Sequence, residues 1–396
     1  MKSPALLSRP REGRHTKILF VHGIGEIGGA ERELLAYVEH LGSFGYAPAV
    51  ICPERGPLAI ELKQRGIPVH GADFPAWRKM WSFPRRKPAV RLLRHLIEEL
   101  KPSLIHVNDL WWVPQTLRAL HTALVPVAAH LRQDLDVSKV AQYELARLDC
   151  VLAVSTQVAG TLEAGGVKRD RIRVLHSGLD GRWVGAELDG AGSAVRRRLG
   201  IADHAVVIGT VGNIFPRKGY DIMLRALPEI LAAVPDVHYL VLGQGDEEHE
   251  RSLRLLCRDL GLTGRVHFLG FERQVRALLD AMNLYVQPSL MEGFGIAVLE
   301  AMAREKAVVA SRTGGLPDIV VNGETGLLVP PGDAGELARA VTALLKDPDG
   351  RKEMGRKGRQ RVMKQFTVEA MMNGLSSVYA GLIQGLVEPS SVGAPL

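Results

Sequence analysis

Short apolar runs alternate with longer amphipathic stretches through both halves of the chain, and no other feature of the sequence constrains its fold as strongly. Such alternation marks strand–helix–strand units built around parallel sheets. It predicts strands at 17–22, 49–52, 104–107, 125–131, 151–154 and 172–175, then at 206–211, 238–242, 266–269, 284–287, 308–310 and 326–329. Helices fill the gaps, the clearest at 30–41 and 90–100, where apolar residues recur three and four apart. At 396 residues the chain exceeds what one core usually supports, so the two series of strands read as two doubly wound α/β domains. The Gly- and Asp-rich stretch 178–192 is the expected linker, with 194–199 opening the second domain. The expected limits are a disordered basic tail at 1–16, a first domain at 17–185, a second at 186–365, a helix at 366–387 crossing back to the first domain, and a disordered tail at 388–396. Ligands of open α/β sheets sit beyond the carboxyl ends of the strands, so two such domains facing each other would enclose one cleft.

Composition narrows the class. Apolar residues are 46% and charged residues 23%, enough for two packed cores. Cys52, Cys150 and Cys257 are odd in number and widely spaced, which suggests neither a disulfide framework nor a zinc site and fits a reducing, cytoplasmic compartment. No apolar stretch approaches the ~18 residues of a spanning helix. The net charge of +7 is uneven: residues 1–190 hold 26 basic against 20 acidic side chains, and the remainder 24 against 23. A basic first half suits anionic acceptors or anionic lipid; without a nucleic-acid motif, nucleic acid is not an expected partner. Residues 77–87 interleave Trp77, Trp81 and Phe83 with arginines and lysines, a mixture suited to peripheral contact with an anionic membrane or to seating a lipid-linked acceptor.

The chemistry concentrates after the strand at 284–287. There Glu292-Gly293-Phe294-Gly295 leads into an apolar helix carrying Glu300. Glycines on either side of Phe294 let backbone approach a ligand, and a helix start supplies free N–H groups and a positive dipole end, together suited to a diphosphate. Glu300 can accept from ribose hydroxyls, while Glu292, before the helix, can reach the sugar next to the phosphates.

These residues resemble the retaining glycosyltransferases of the GT-B fold, in particular the large family 4, whose signature is two glutamates eight positions apart around Gly-Phe-Gly. The resemblance covers nearly the whole chain, through Gly28-Gly29-Ala30-Glu31-Arg32, Ser177-Gly178-Leu179-Asp180, Val211-Gly212-Asn213, Lys218-Gly219, Leu242-Gly243-Gln244-Gly245, Arg265 to Gly270, Gly314-Gly315-Leu316-Pro317-Asp318 and Gly326-Leu327-Leu328-Val329. It implies a GT-B architecture of two Rossmann-like parallel-sheet domains. It also implies transfer of a sugar from a UDP- or GDP-sugar to a polysaccharide, glycan or lipid-linked acceptor, with retention and without a metal or other cofactor. Position by position it gives Lys218 the donor diphosphate, where a fixed cation stabilises charge developing as the glycosidic bond breaks. Glu292 would hold sugar hydroxyls, Glu300 the ribose, the amides of Gly293, Phe294 and Gly295 the phosphates, and the backbone near Gly270 and Phe271 the base. Gly28, Gly29 and Gly243 are further expected contacts.

The chain departs from the family pattern twice. Asn213 stands where an arginine is common, with Arg217 available as a second cation beside Lys218. Arg132 stands where the family usually places a histidine near the reacting sugar, and His130 lies two residues earlier, on the same face of a strand. No Asp-x-Asp metal pair accompanies the motifs. Two rival readings remain: a catalytically degenerate binding subunit, which Asn213 and Arg132 keep open, and a nicotinamide oxidoreductase, which His22-Gly23-Ile24-Gly25-Glu26-Ile27 disfavours by being one glycine short of G-x-G-x-x-G.

Overall fold

The computed structural model describes residues 16–75, 77, 83–120, 124–184 and 191–385. The expected tails, apart from Thr16, lie outside these residues, as do five residues of the 77–87 segment, Trp81 among them. The guanidiniums of Arg86 and Arg118 lie over the Trp77 ring, at 4.6 and 4.7 Å from its centroid.

The chain divides into two compact units. One takes the chain up to Ala153, residues 159–175 and everything from Met372 onward; the other takes Val154–Val158 and His176–Met371. In the first unit the strands are β1 (Thr16–Val21), β2 (Tyr46–Cys52), β3 (Val69–Gly71), β4 (Leu104–Val107), β5 (Val127–Leu131), β6 (Cys150–Ala153) and β7 (Ile172–Val174). They form one sheet in the order β3-β2-β1-β4-β5-β6-β7, parallel throughout. The second unit holds β8 (Val206–Val211), β9 (Val237–Leu242), β10 (Val266–Gly270), β11 (Leu284–Gln287), β12 (Val308–Ser311) and β13 (Gly326–Val329), also parallel, in the order β10-β9-β8-β11-β12-β13. All twelve expected strands are present. The additional one, β3, is a three-residue edge strand, too short to show a period of two.

The order of the strands reverses in both sheets, at β1/β4 in the first unit and β8/β11 in the second. Loops leaving two such strands turn to opposite sides and leave a crevice at their carboxyl ends. The strands themselves are apolar and almost fully enclosed by helices, as Ile18, Phe20, Ile51 and Val107 in one core and Ile208, Tyr239, Val286 and Val309 in the other illustrate.

Two boundaries differ from expectation. The helix at 90–100 begins earlier, spanning Phe83–Leu100, because Pro84 in its first turn forfeits no helical bond and Pro88 interrupts only one. The change of unit falls between Leu175 and His176, ahead of the Gly- and Asp-rich stretch. Leu179 is already tied into the second unit, its N–H donating to Phe366 O at 2.8 Å while Val368 N–H donates to Leu179 O at 2.9 Å. A Cβ on Gly178 would press on the Thr367 backbone, so glycine serves packing there.

Candidate active site

The second unit gathers its chemistry at the β8/β11 reversal. After β8 the chain passes Gly212 and Asn213 and makes a tight turn over Pro216–Lys218, closed by Gly219 at φ +67°. A Cβ on Gly219 would fall on Pro288 O, so only glycine lets this turn lie against the residues following β11. Leu290 and Met291 donate their N–H groups to Arg217 O at 2.8 and 3.2 Å and lock the two loops together. The result brings Lys218 Nζ to 2.6 Å from Glu292 Oε2, with side chains only 13% and 9% exposed.

Further donors surround that carboxylate. Ser289 Oγ donates to Glu292 Oε2 at 3.1 Å and Gln287 Nε2 approaches it at 3.4 Å, while the Tyr285 hydroxyl donates to Gln287 Oε1 at 2.6 Å and orients the amide. Burial pushes the Tyr285 phenol well above its ordinary pKa, so it stays protonated for that role. An ammonium carries three N–H donors, and one of them suffices for Glu292, so Lys218 can engage a second anion without releasing the first.

Glu292 continues into Gly293, Phe294 and Gly295, the last at φ +114°, before the helix Ile296–Ala303. Among the described residues no carbonyl or side chain accepts from the N–H of Gly295, Ile296 or Ala297, leaving the donors that a helix start offers to an anion. Glu300 is half-buried one turn along this helix. Two further glycines pack against this turn. Phe294 is buried, and the close approach comes from Gly314 and Gly315: a Cβ on the first would fall on Glu292 O, and one on the second would lie 2.7 Å from Phe294 Cα. Gly314 holds φ +59° and sends its N–H to Gln157 Oε1 at 2.6 Å. The Gly314-Gly315 turn is thus a mould for the glutamate-bearing loop.

Other expected residues sort by exposure. Asn213 and the Arg217 side chain are exposed at the same rim, and Phe271 is 64% exposed after β10. Gly243 donates to Gly270 O at 2.9 Å, and a Cβ on it would fall on Gly212 O, so its glycine is required by neighbouring backbone.

In the first unit the polar residues collect at the ends of β1, β4 and β5. Gly28 and Gly29 are exposed at the start of the helix Gly29–His40, Gly28 donating its N–H to Glu31 Oε2 at 2.8 Å. Glu31 Oε1 also lies 2.9 Å from His22 Nε2. Burial would raise the Glu31 carboxyl, but His22 and the Gly28 amide outweigh it and hold it below its ordinary value. Arg132 donates through Nε to Glu33 Oε1 at 2.9 Å and through its terminal nitrogens to Asn108 O and Oδ1 at 2.6 and 3.0 Å. His130 does share a face with Arg132, its Nδ1 lying 3.3 Å from the same Glu33 oxygen and 2.9 Å from the Tyr37 hydroxyl. The ring is fully buried, however, and burial, then Arg132, pushes its pKa well below the ordinary imidazole value. As the chain stands His130 is a neutral interior residue, and of the two only Arg132 retains some exposure. Sequence reasoning did not single out Glu33, Tyr37 or Asn108. The available signal was a carboxylate and a phenol four residues apart on one helix, where such pairs meet; here the Tyr37 hydroxyl donates to Glu33.

The family model described as glycosyl transferases group 1 matches residues 193–361, and that described as glycosyltransferase family 4 matches residues 27–182. A D-inositol 3-phosphate glycosyltransferase of Corynebacterium glutamicum is 31% identical over 334 residues, 80% of this chain and 78% of that protein. The lipopolysaccharide core biosynthesis glycosyltransferase LpsE of Rhizobium meliloti is 27% identical over 371 residues, 92% of this chain and 99% of that one. Among solved structures, Anabaena HepE in complex with UDP superimposes with a TM-score of 0.80 at 25% identity, covering 92% of this chain and all of that one.

Proposed function

The chain belongs to the family 4 glycosyltransferases, the glycosyl transferases group 1, and from that premise we propose that it transfers a sugar, with retention, from a UDP- or GDP-sugar to a glycan or lipid-linked acceptor. The observation that carries the reading is the Lys218–Glu292 pair at the β8/β11 reversal, beside the uncommitted N–H groups of a helix start. HepE binds UDP, which supports a nucleotide-sugar donor, and the names of the bacterial relatives support acceptors of the inositol phosphate or lipopolysaccharide kind.

In this mechanism the donor diphosphate lies against the N–H groups of residues 293–297 and takes one of the two remaining Lys218 donors. Glu292 accepts from a hydroxyl of the transferred sugar and Glu300 from the ribose, while Gly270 and Phe271 edge the base. The bond between the anomeric carbon and the diphosphate oxygen breaks, leaving an electron pair on an oxygen that Lys218 and the helix start stabilise. The acceptor oxygen attacks the same face, and its proton passes to the departing diphosphate. No metal or other cofactor is assigned a step.

Thermal shifts with UDP, GDP and ADP sugars test the donor, since a ligand at 100 times its Kd stabilises the chain by about 2.7 kcal/mol. One nucleotide series should shift Tm and the others not. With that donor, Lys218→Ala and Glu292→Gln should each lower kcat by ~10²- to 10³-fold, the scale of losing one hydrogen bond that matters in the transition state, in protein that still folds. Parental rates in either variant contradict the assignment.

A further inference from the structure

His176 lies outside every role assigned so far, yet it touches the centre of the glutamate-bearing loop. Its imidazole stacks on the Phe294 ring with centroids 5.3 Å apart and planes 14° from parallel. Phe366 closes the cluster, 5.5 Å from His176 and 6.0 Å from Phe294. The edge of the same imidazole is pinned, because Nε2 lies 3.1 Å from Asp318 Oδ2. A carboxylate only accepts, so Nε2 carries the proton and donates it to this bond. Asp318 is fixed in turn by Thr156 N–H, which donates to the same oxygen at 2.6 Å, and by Arg361, which donates to the Asp318 carbonyl at 2.8 Å.

We propose that His176, aimed by Asp318, is a positioning residue that sets the Phe294 ring and through it the backbone of the turn from Glu292 to Ile296. A phenylalanine at 176 could stack but could not be oriented by a carboxylate, and a glutamine could bond but not stack; histidine does both. The neighbouring mould of Gly314 and Gly315 packs on the same turn and leads directly into the helix Leu316–Ile319, which carries Asp318. Mould and imidazole therefore move together. The functional part of the proposal rests on the reading of this turn as the diphosphate-sugar site, because a turn held within a fraction of an ångström matters most where it presents N–H groups to a reacting phosphate.

The test uses the full chain with His176→Ala, His176→Phe and Asp318→Ala, reading amide hydrogen exchange and kinetics together. In His176→Ala and Asp318→Ala, exchange at Val298 and Leu299, whose N–H groups donate to Gly295 O at 2.9 and 3.3 Å, should accelerate at least ~10-fold while β8 and β11 keep parental protection. With the preferred donor, kcat should fall ~10- to 100-fold, the cost of a misplaced contact, with a smaller change in the donor KM. His176→Phe should recover only part of the rate. Unaltered exchange and kcat in His176→Ala overturn the proposal, as does acceleration spread evenly over the second unit, which would mark a purely structural residue. A parental rate in His176→Phe removes Asp318 from it. A turn that loosens selectively in a chain whose parent transfers no sugar upholds the positioning role and defeats the transferase reading instead.

Discussion

Asp109, just past the end of β4, shows how a single side chain can work against stability. Burial, only partly offset by Arg132 and the Leu110 N–H, raises its carboxyl from 3.8 to about 6. An acid with a raised pKa binds its proton more tightly folded than unfolded, so stability declines as pH climbs from 3.8 through 6 and stays reduced above. Asp109→Asn keeps an acceptor for Leu110 N–H and removes the charge, so it should stabilise the chain by up to about 3 kcal/mol at pH 8 and progressively less as pH falls toward 4. Urea titrations of parent and variant at pH 8 and pH 4.5 check this; an equal gain at both pH values refutes it. Residues of this kind are where the sequence is least legible. Lys218 and Glu292 stand 74 positions apart, and each was recognisable alone, but their ion pair exists only once two loops are locked by Gly219 and Arg217. His130 was visible as a histidine in an apolar strand, yet its enclosure by Tyr37 and Glu33 depends on a helix a hundred residues earlier. His176 gave no signal, since a lone histidine before Ser-Gly has no periodicity to betray the ring it stacks on.

At the scale of elements the sequence speaks more clearly, because a strand buried on both faces must be apolar whatever surrounds it. Twelve strands were legible for that reason, and β3 was not because three residues at a sheet edge carry too little pattern. Turns divide similarly. That glycines cluster at 28–29, 293–295 and 314–315 is plain from the sequence, but which of them faces a ligand and which faces another loop is not. The structure separates glycines with open space beside them from glycines packed on another loop, and substitution can confirm that division. A Cβ on Gly29 meets no atom within 4 Å, and alanine suits a helix start, so Gly29→Ala should leave Tm unchanged or raise stability by about 0.5–1 kcal/mol. If a ligand approaches this turn as the family resemblance implies, transfer falls although the fold does not. Gly314→Ala meets both a left-handed φ and the Glu292 carbonyl, so it should lower Tm markedly and abolish transfer together. Equal melting temperatures for the two variants would contradict this division.

For the molecule as a whole, the helix Val368–Ile383 changes unit partway along, at Met372. Its later turns bury Leu375, Tyr379 and Leu382, and the Tyr379 hydroxyl lies 2.7 Å from His106 Nδ1. Each large side chain buried in this way contributes roughly 1.5–3 kcal/mol, so a chain ending at Met371 should lose the first unit, not the second. Limited proteolysis should then cut residues before 175 readily while sparing 176–371; the reverse pattern contradicts the division. The arrangement also bears on how the protein is made. β1 emerges ahead of the rest of its unit, but the residues that complete that unit emerge only after the entire span 176–371, which at ~5–20 residues per second takes roughly ten to forty seconds. The unit started first is finished last, and until then the nascent chain leaves His106 without its tyrosine.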